Sequence, residues 1–336
     1  MNSAKKGLAL VISNANYQTQ PKLLSCKKDG IDMVNMLQYL NFDVLSATDT
    51  TREMLFNSLG EFLEIADLYS VLLVYYAGHG VQIDGENYFV PIDCGYNASK
   101  AIFIGNSLVN VNVVTEYMNS HPEKTNIIIM DACRTAPNFS RDLIGTGLAE
   151  IRAGSGTIVA FATSPNEAAY GAVDENGNGY YTKCLLNHIA RPNIKIEDMF
   201  KEVRKNVIEM SDNTQIPWES TSLNSDFYFN TMTQDEIYEK IYQGMRNQYG
   251  ANMLIALSKT YNYSISDIMR IYEKQKSEKP GGIYINSKKD FEHYILERIL
   301  DLGFRYENYR WVYGKKPVFM GEFFHDPYKN MNSNMV

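Results

Sequence analysis

Four cysteines in 336 residues, none in a CxxC spacing, are too few and too scattered for a disulfide framework or a thiolate zinc site. Cys26, Cys94, Cys133 and Cys184 lie in dissimilar contexts, and each has to be judged alone. Long hydrophobic runs are also missing. The longest, 7–13 and 71–77, fall far below the roughly 20 residues a membrane-spanning helix needs, so no membrane association is expected. Lys5 and Lys6 precede only a strand-length apolar stretch with no small-residue cleavage site, which predicts a cytoplasmic protein without a secretory leader. Positive charge is in deficit: the net charge is −7, with 17 basic against 26 acidic residues in 1–230 and 15 against 13 in 231–336. An acidic main domain is a poor nucleic-acid binder and a plausible host for basic ligands. There is neither an internal repeat nor a low-complexity tract.

What is present is a chain 45% hydrophobic and 21% charged, enough to bury a sizeable core, and long enough for two domains. Over residues 1–230, β-rich runs alternate with helical patterns, the signature of a mostly parallel sheet flanked by helices. Six strands are predicted at 7–13, 42–48, 71–77, 126–132, 157–163 and 226–229, the third and fourth apolar enough to be buried on both faces. A helix opening at Asp29 places Ile31, Val34, Leu37 and Leu40 on one stripe, and another from Arg52 places Leu55, Leu59, Phe62 and Ala66 likewise. Further helices fit 110–119, 180–190 and 196–210. After Asn230 the texture changes to Tyr- and Met-rich helical segments: a capping box at Thr233-x-x-Glu236, another at Ser287-x-x-Asp290, and a helix-turn-helix rhythm over 251–275. A terminal β-hairpin is expected around Gly314. The organisation is therefore a main domain, 1–230, and a smaller, mainly helical accessory domain, 231–336, with winged-helix character.

Two predicted strand ends carry chemistry. In an open α/β sheet, ligands bind beyond the carboxyl ends of the strands, where side chains leave the packed layer. The third strand ends in YYAGHG with His79, and the fourth in MDACR with Cys133. A thiol needs a positioned imidazole to activate it and to protonate the leaving amine, so this pair reads as a catalytic dyad. Either residue alone reads more simply as packed structure. Glycines on both sides of His79 would let backbone approach a substrate, and the amides of Gly80 and Cys133 could form an oxyanion hole. Cys26, Cys94 and Cys184 have no such neighbours and read as structural.

On six blocks the first 230 residues resemble the caspase-like cysteine peptidases, nearest the bacterial branch related to metacaspases and paracaspases. The blocks are ISNANY (12–17), YYAGHG (75–80) with YFVPID (88–93), DACR (131–134), FATSP (161–165), GYYTKCLLNHI (179–189) and QIPWESTSL (215–223). The resemblance implies a caspase-type six-stranded sheet, a Cys133 nucleophile, a His79 acid/base and peptide-bond hydrolysis. Metacaspases and paracaspases cut after Arg or Lys by means of acidic pocket residues. Asp131 precedes Cys133 by two and so points to the same side of its strand, and Asp29 matches the family's other acidic pocket position. Two carboxylates converging on a basic P1 side chain would supply charge-assisted contacts of roughly 1.5–3 kcal/mol. Asp29 could instead simply favour the positive end of its helix. Glu219 and Glu167 are further rim candidates, and Trp218, in the block that crosses the groove, could hold a P2 or P4 side chain or be packed structure.

No cofactor is expected. Residues 174–179, DENGNG, imitate the first half of a calcium loop, but the twelfth position is Leu185 where a loop of that kind has Glu, so the segment reads as a surface turn. Between 134 and 156, Arg141 and Arg152 lie in a Gly- and Ser-containing surround and are candidate self-cleavage sites. The expected substrate is a protein or peptide with a basic P1 residue, and 231–336 is expected to engage a regulatory partner. A clan relative with another P1 preference, or an idle scaffold presenting the C-terminal module, are the competing readings.

Overall fold

The computed structural model describes residues 6–95, 107–133, 148–149, 151–164 and 177–237, together with short backbone strands at 304–307, 310–313 and 316–318. The chain divides into two units, one of residues 1–190 and 194–230, the other of 191–193 and 231–336.

In the first unit, period-two alternation sorts side chains onto the two faces of one sheet. Its main path runs β2 (Phe42–Thr48), β1 (Gly7–Ser13), β3 (Val71–Ile83), β6 (Thr125–Cys133), β7 (Thr157–Phe161), β8 (Trp218–Thr221). The first five are mutually parallel and β8 runs antiparallel to β7. Ala9, Val11, Leu73, Tyr75, Ile127 and Ile129 face a core completed by α1 (Cys26–Tyr39), α4 (Tyr180–His188) and α5 (Ile196–Met210). Leu8, Leu10, Ile12, Leu72, Val74 and Tyr76 face the opposite core, closed by α2 (Arg52–Ile65) and α3 (Asn112–Asn119). Both faces being covered, these strands are apolar throughout. Helix α2 starts where Thr51 accepts a hydrogen bond from the Met54 amide (3.3 Å), and it buries Leu55, Leu59 and Phe62 as its spacing predicts.

Three expectations are corrected. β3 continues six residues past the apolar run, because at Gly80 it leaves β6 and pairs antiparallel with β4 (Glu86–Phe89), which in turn pairs with β5 (Val109–Asn110). Segment 226–229 is not a strand. Phe227 and Phe229 are anchors: their rings meet edge-on at 5.1 Å, Phe229 approaches Phe42, and the Phe229 carbonyl accepts from Lys6 Nζ at 2.8 Å. Alternating burial imitated a strand without a neighbour to pair with, and the sixth strand is β8. Finally, α1 begins at Cys26, and its buried face is Cys26, Asp29, Gly30, Met33 and Leu37, while Ile31 is 51% exposed. The helix is thus rotated from its apolar stripe because Gly30 lets it sit close to β1.

In the second unit the capping box is formed: Glu236 Oε2 accepts from the Thr233 amide (2.7 Å), and Thr233 Oγ1 accepts from the Glu236 amide (3.2 Å). β9 (Phe304–Glu307), β10 (Arg310–Tyr313) and β11 (Lys316–Val318) make an antiparallel sheet, while the turn expected at Gly314 lies outside the described residues. The helices expected at 251–275 and after Ser287 lie outside the described residues, so the winged-helix expectation does too.

Replacing a helical glycine by alanine normally stabilises by up to about 1 kcal/mol. At Gly30 the sign should reverse, because a Cβ there would lie 2.5 Å from Ser13 Cβ on β1. We expect Gly30→Ala to lower the urea midpoint, by about 1–3 kcal/mol in stability; an unchanged or higher midpoint would refute this close helix–strand contact.

Candidate functional site

The parallel ladder of β3 on β6 ends with His79 paired directly opposite Cys133. His79 is 2% exposed, and its surroundings hold it from three directions. Its amide donates to the Tyr17 hydroxyl (2.7 Å), its carbonyl accepts from the Tyr76 hydroxyl (2.7 Å), and the Tyr17 ring lies 4.5 Å from the imidazole centroid. Nε2 lies 2.8 Å from the Pro21 carbonyl, which can only accept, so Nε2 carries the proton and Nδ1 a lone pair. Nδ1 is buried and has no hydrogen-bond partner among the described residues. Burial lowers the His79 pKa, partly offset by the Pro21 carbonyl, and keeps the ring neutral at pH 7. A neutral imidazole with a free lone pair at the position paired with a thiol can accept that thiol's proton.

Both flanking glycines lie where neighbouring groups pack close to the backbone. A Cβ on Gly78 would lie 2.7 Å from the hydroxyls of both Tyr17 and Tyr76, and one on Gly80 would lie 3.0 Å from Leu148 and 3.1 Å from Ala132. Sequence reasoning missed Tyr17, Tyr76 and Pro21. Tyr17 lies within ISNANY and Pro21 four residues beyond it, but only the fold turns that loop over β3.

Asp29 and Asp131 are brought together. Asp29, 1% exposed, accepts at Oδ1 from Asn178 Nδ2 (3.0 Å) and the Gly179 amide (3.1 Å). Asp131, partly buried, accepts at Oδ2 from Thr182 Oγ1 (2.6 Å). Thr182 has one proton, given to Asp131, so the buried Tyr75 hydroxyl is the donor in its 2.5 Å contact with Thr182. Gly179 and Thr182 belong to the N-terminal end of α4, whose free amides and dipole favour negative charge. No Lys or Arg pairs with either carboxylate among the described residues. Burial, and then the charge of Asp131, raise the Asp29 pKa; burial raises that of Asp131 against its Thr182 bonds. Asn178 was read from sequence as one position of a calcium-loop mimic. Its amide donates instead to Asp29 and to Asp32 (2.9 Å), a role no local pattern announces.

The other predicted residues fall around this centre. Glu219 is held by Arg204 of α5, so its charge is already countered. Trp218 is partly buried, 5.8 Å from the Phe161 ring, against the α2–α3 side of the core. Arg152 is exposed in the segment before β7. Arg141 and Glu167 lie outside the described residues, as do 174–176. Cys26, Cys94 and Cys184 are buried and outside any disulfide, and burial pushes the thiols of Cys94 and Cys184 up to about 11, which keeps them unreactive. Among the described residues no group of three His, Cys, Asp or Glu could hold a metal ion, and no helix is long and apolar enough to cross a membrane.

A mostly parallel sheet whose β3–β6 ladder closes on a His opposite a Cys is the arrangement expected of a cysteine peptidase of the caspase type. Residues 6–228 match the family model described as Caspase domain, and the chain belongs to that family as a caspase-like cysteine peptidase. It is similar to the human mucosa-associated lymphoid tissue lymphoma translocation protein 1, at 28% identity over 208 residues, covering 61% of this chain and 24% of that protein. The mouse homologue matches to the same extent. Caspase A of Caenorhabditis elegans is 24% identical over 243 residues, covering 64% of this chain and 42% of its own. The chain thus spans about a quarter to two fifths of the length of these relatives.

The carboxylate pair makes stability depend on pH with a definite sign. Folding raises both pKa values from 3.8, so the folded protein binds more protons than the unfolded chain between the two values. Stability from these groups is therefore full below about pH 4 and lost as pH rises through the raised pKa values. Urea midpoints from pH 4 to 8 should decline less for Asp131→Asn than for wild type; parallel profiles would refute the coupling.

Proposed function

We propose that the protein is an endopeptidase that cleaves after Arg or Lys, with Cys133 as nucleophile and His79 as acid/base. The register pairing of His79 with Cys133, with His79 Nδ1 buried and unpartnered among the described residues, is the observation that carries the reading. In this mechanism the Cys133 thiol proton passes to Nδ1, and the thiolate attacks the scissile carbonyl carbon. The amides of Gly80 and Cys133 receive the developing oxyanion. Collapse breaks the C–N bond, the amine leaves with the proton from Nδ1, and water activated by the same nitrogen releases the acyl group. The Nε2 bond to Pro21 fixes the ring throughout and supports the imidazolium that forms. Tyr17 and Tyr76 act as positioning residues through the His79 backbone.

Support for a basic P1 comes from Asp29, buried, and Asp131, partly buried, two carboxylates held by donors yet without a cation among the described residues. A guanidinium or ammonium entering between them relieves their repulsion, and a carboxylate P1 would add to it. Residues 231–336 carry no catalytic motif of their own, and we assign them control of access to the groove through a partner. Similarity to much longer proteins built around a matching domain is compatible with such control.

Cys133→Ala and His79→Ala should each reduce turnover of an Arg-P1 peptide by several orders of magnitude with unchanged circular dichroism, since each removes half of a cooperating unit. Turnover retained in either purified variant refutes the dyad. Asp131→Asn should cost Arg-P1 substrates about 1.5–3 kcal/mol in kcat/KM while iodoacetamide still labels Cys133. Wild-type preference for Asp-P1 over Arg-P1 peptides in the same panel would refute the pocket.

A further inference from the structure

The loop that anchors His79 through Pro21 opens, one residue later, onto a separate concavity. Together with the start of α1 it frames an open depression of about 620 Å³, whose wall presents Lys22, Leu24, Lys27, Lys28, Ile31 and Asp32. Leu24, in the turn before α1, and Ile31, on its second turn, are 49% and 51% exposed and line the same concavity as Lys27 and Lys28. Scattered exposed apolar side chains are ordinary; two of them lining one concavity with a cluster of lysines are not.

The charges here run against the rest of the unit, which holds 26 acidic and 17 basic residues over 1–230. Lys28 is spent on Asp32 at 2.7 Å, and Asp32 also accepts from Asn178. Lys22 and Lys27 make no salt bridge among the described residues. The carboxylate nearest in effect to Lys27 is Asp49, already occupied by the amides of Ala15 and Asn16 and by Asn16 Nδ2 at 2.7–2.8 Å. Two cations without a salt bridge among the described residues, lining the same concavity as two exposed apolar side chains, fit a ligand that is both acidic and apolar. A small anion would use the lysines and leave Leu24 and Ile31 wet. The chain's own 231–336, with 15 basic and 13 acidic residues, has the wrong sign to fill it.

We propose that this cavity is an exosite for an acidic peptide segment that lays a large apolar side chain between Leu24 and Ile31 and carboxylates against Lys22 and Lys27. Its charge is opposite to that of the Asp29–Asp131 pocket on the inner side of the same helix, so one polypeptide can present a basic residue to one and an acidic stretch to the other. The exosite itself does not depend on the P1 assignment.

The test uses the full-length chain carrying Cys133→Ala and a fluorescein-labelled hexapeptide of four acidic residues around two leucines, followed by anisotropy at near-physiological salt. Control peptides replace the acids by glutamine or the leucines by serine, and inorganic phosphate serves as competitor. The acidic–apolar peptide should bind, Lys22→Glu with Lys27→Glu should weaken it about tenfold or more, and Leu24→Ser with Ile31→Ser should weaken it independently. All four side chains are on the surface, so both double variants should keep the wild-type melting temperature, and turnover of a short Arg-P1 peptide should be unchanged when Cys133 is present. No binding to wild type, or equal binding to the charge-reversed variant, overturns the exosite. Equal affinity for the leucine-free peptide, with full displacement by phosphate, reduces it to a plain anion site and overturns the peptide assignment. Absence of turnover by wild type would count against the peptidase reading and leave the binding result standing.

Discussion

The ladder between β3 and β6 runs without a break from Val71 opposite Thr125 to His79 opposite Cys133, and the site depends on that register. A slip of one residue would send every side chain of one strand to the wrong face; for β3 it would push Tyr75 out of one core and Tyr76 out of the other. Burial on both faces therefore enforces the pairing of the two terminal positions. Where the ladder stops, β3 continues into its hairpin with β4, so His79 sits at the junction of two pairings, with backbone groups free to be taken by Tyr17 and Tyr76.

Low dielectric acts on this region in two directions. Removing water disfavours the charged form of each group, which lowers the pKa of His79 and raises those of Asp29 and Asp131. The imidazole is neutral and fixed by a carbonyl at Nε2. The carboxylates are crowded and held by amide and threonine donors at the start of α4. The proposed chemistry uses both consequences: a base with an open lone pair, and a negative pocket whose own repulsion a cationic side chain would relieve.

Helix α1 separates two environments of opposite sign. Its buried side carries Asp29 toward α4 and the end of β6, and its outer side carries Lys27 and Lys28, which line one concavity with the exposed Leu24 and Ile31. Gly30 permits the close seat on β1 that turns Asp29 inward and leaves Ile31 outside. The apolar count of the helix alone would have rotated it the other way.

Sequence periodicity was sufficient for the five parallel strands, for α2 with its Leu55–Leu59–Phe62 stripe, and for His79 and Cys133 at strand ends. These depend on local alternation and on apolar runs that have no stable alternative to burial. The pairing of Asp29 with Asp131 was legible only through the family blocks, since about a hundred residues separate them. The 226–229 segment misled because two buried phenylalanines at spacing two look the same whether their backbone pairs with a strand or with nothing. Pro21, Tyr17, Asn178 and Thr182 carried no local signal: a carbonyl, a hydroxyl or an amide acquires a role only when a distant segment brings it within about 3 Å of a partner. By itself the sequence determined which residues could bear the chemistry. Tertiary packing decided which nitrogen of His79 is free and which donors hold the carboxylates, because those depend on contacts between segments that no periodicity encodes.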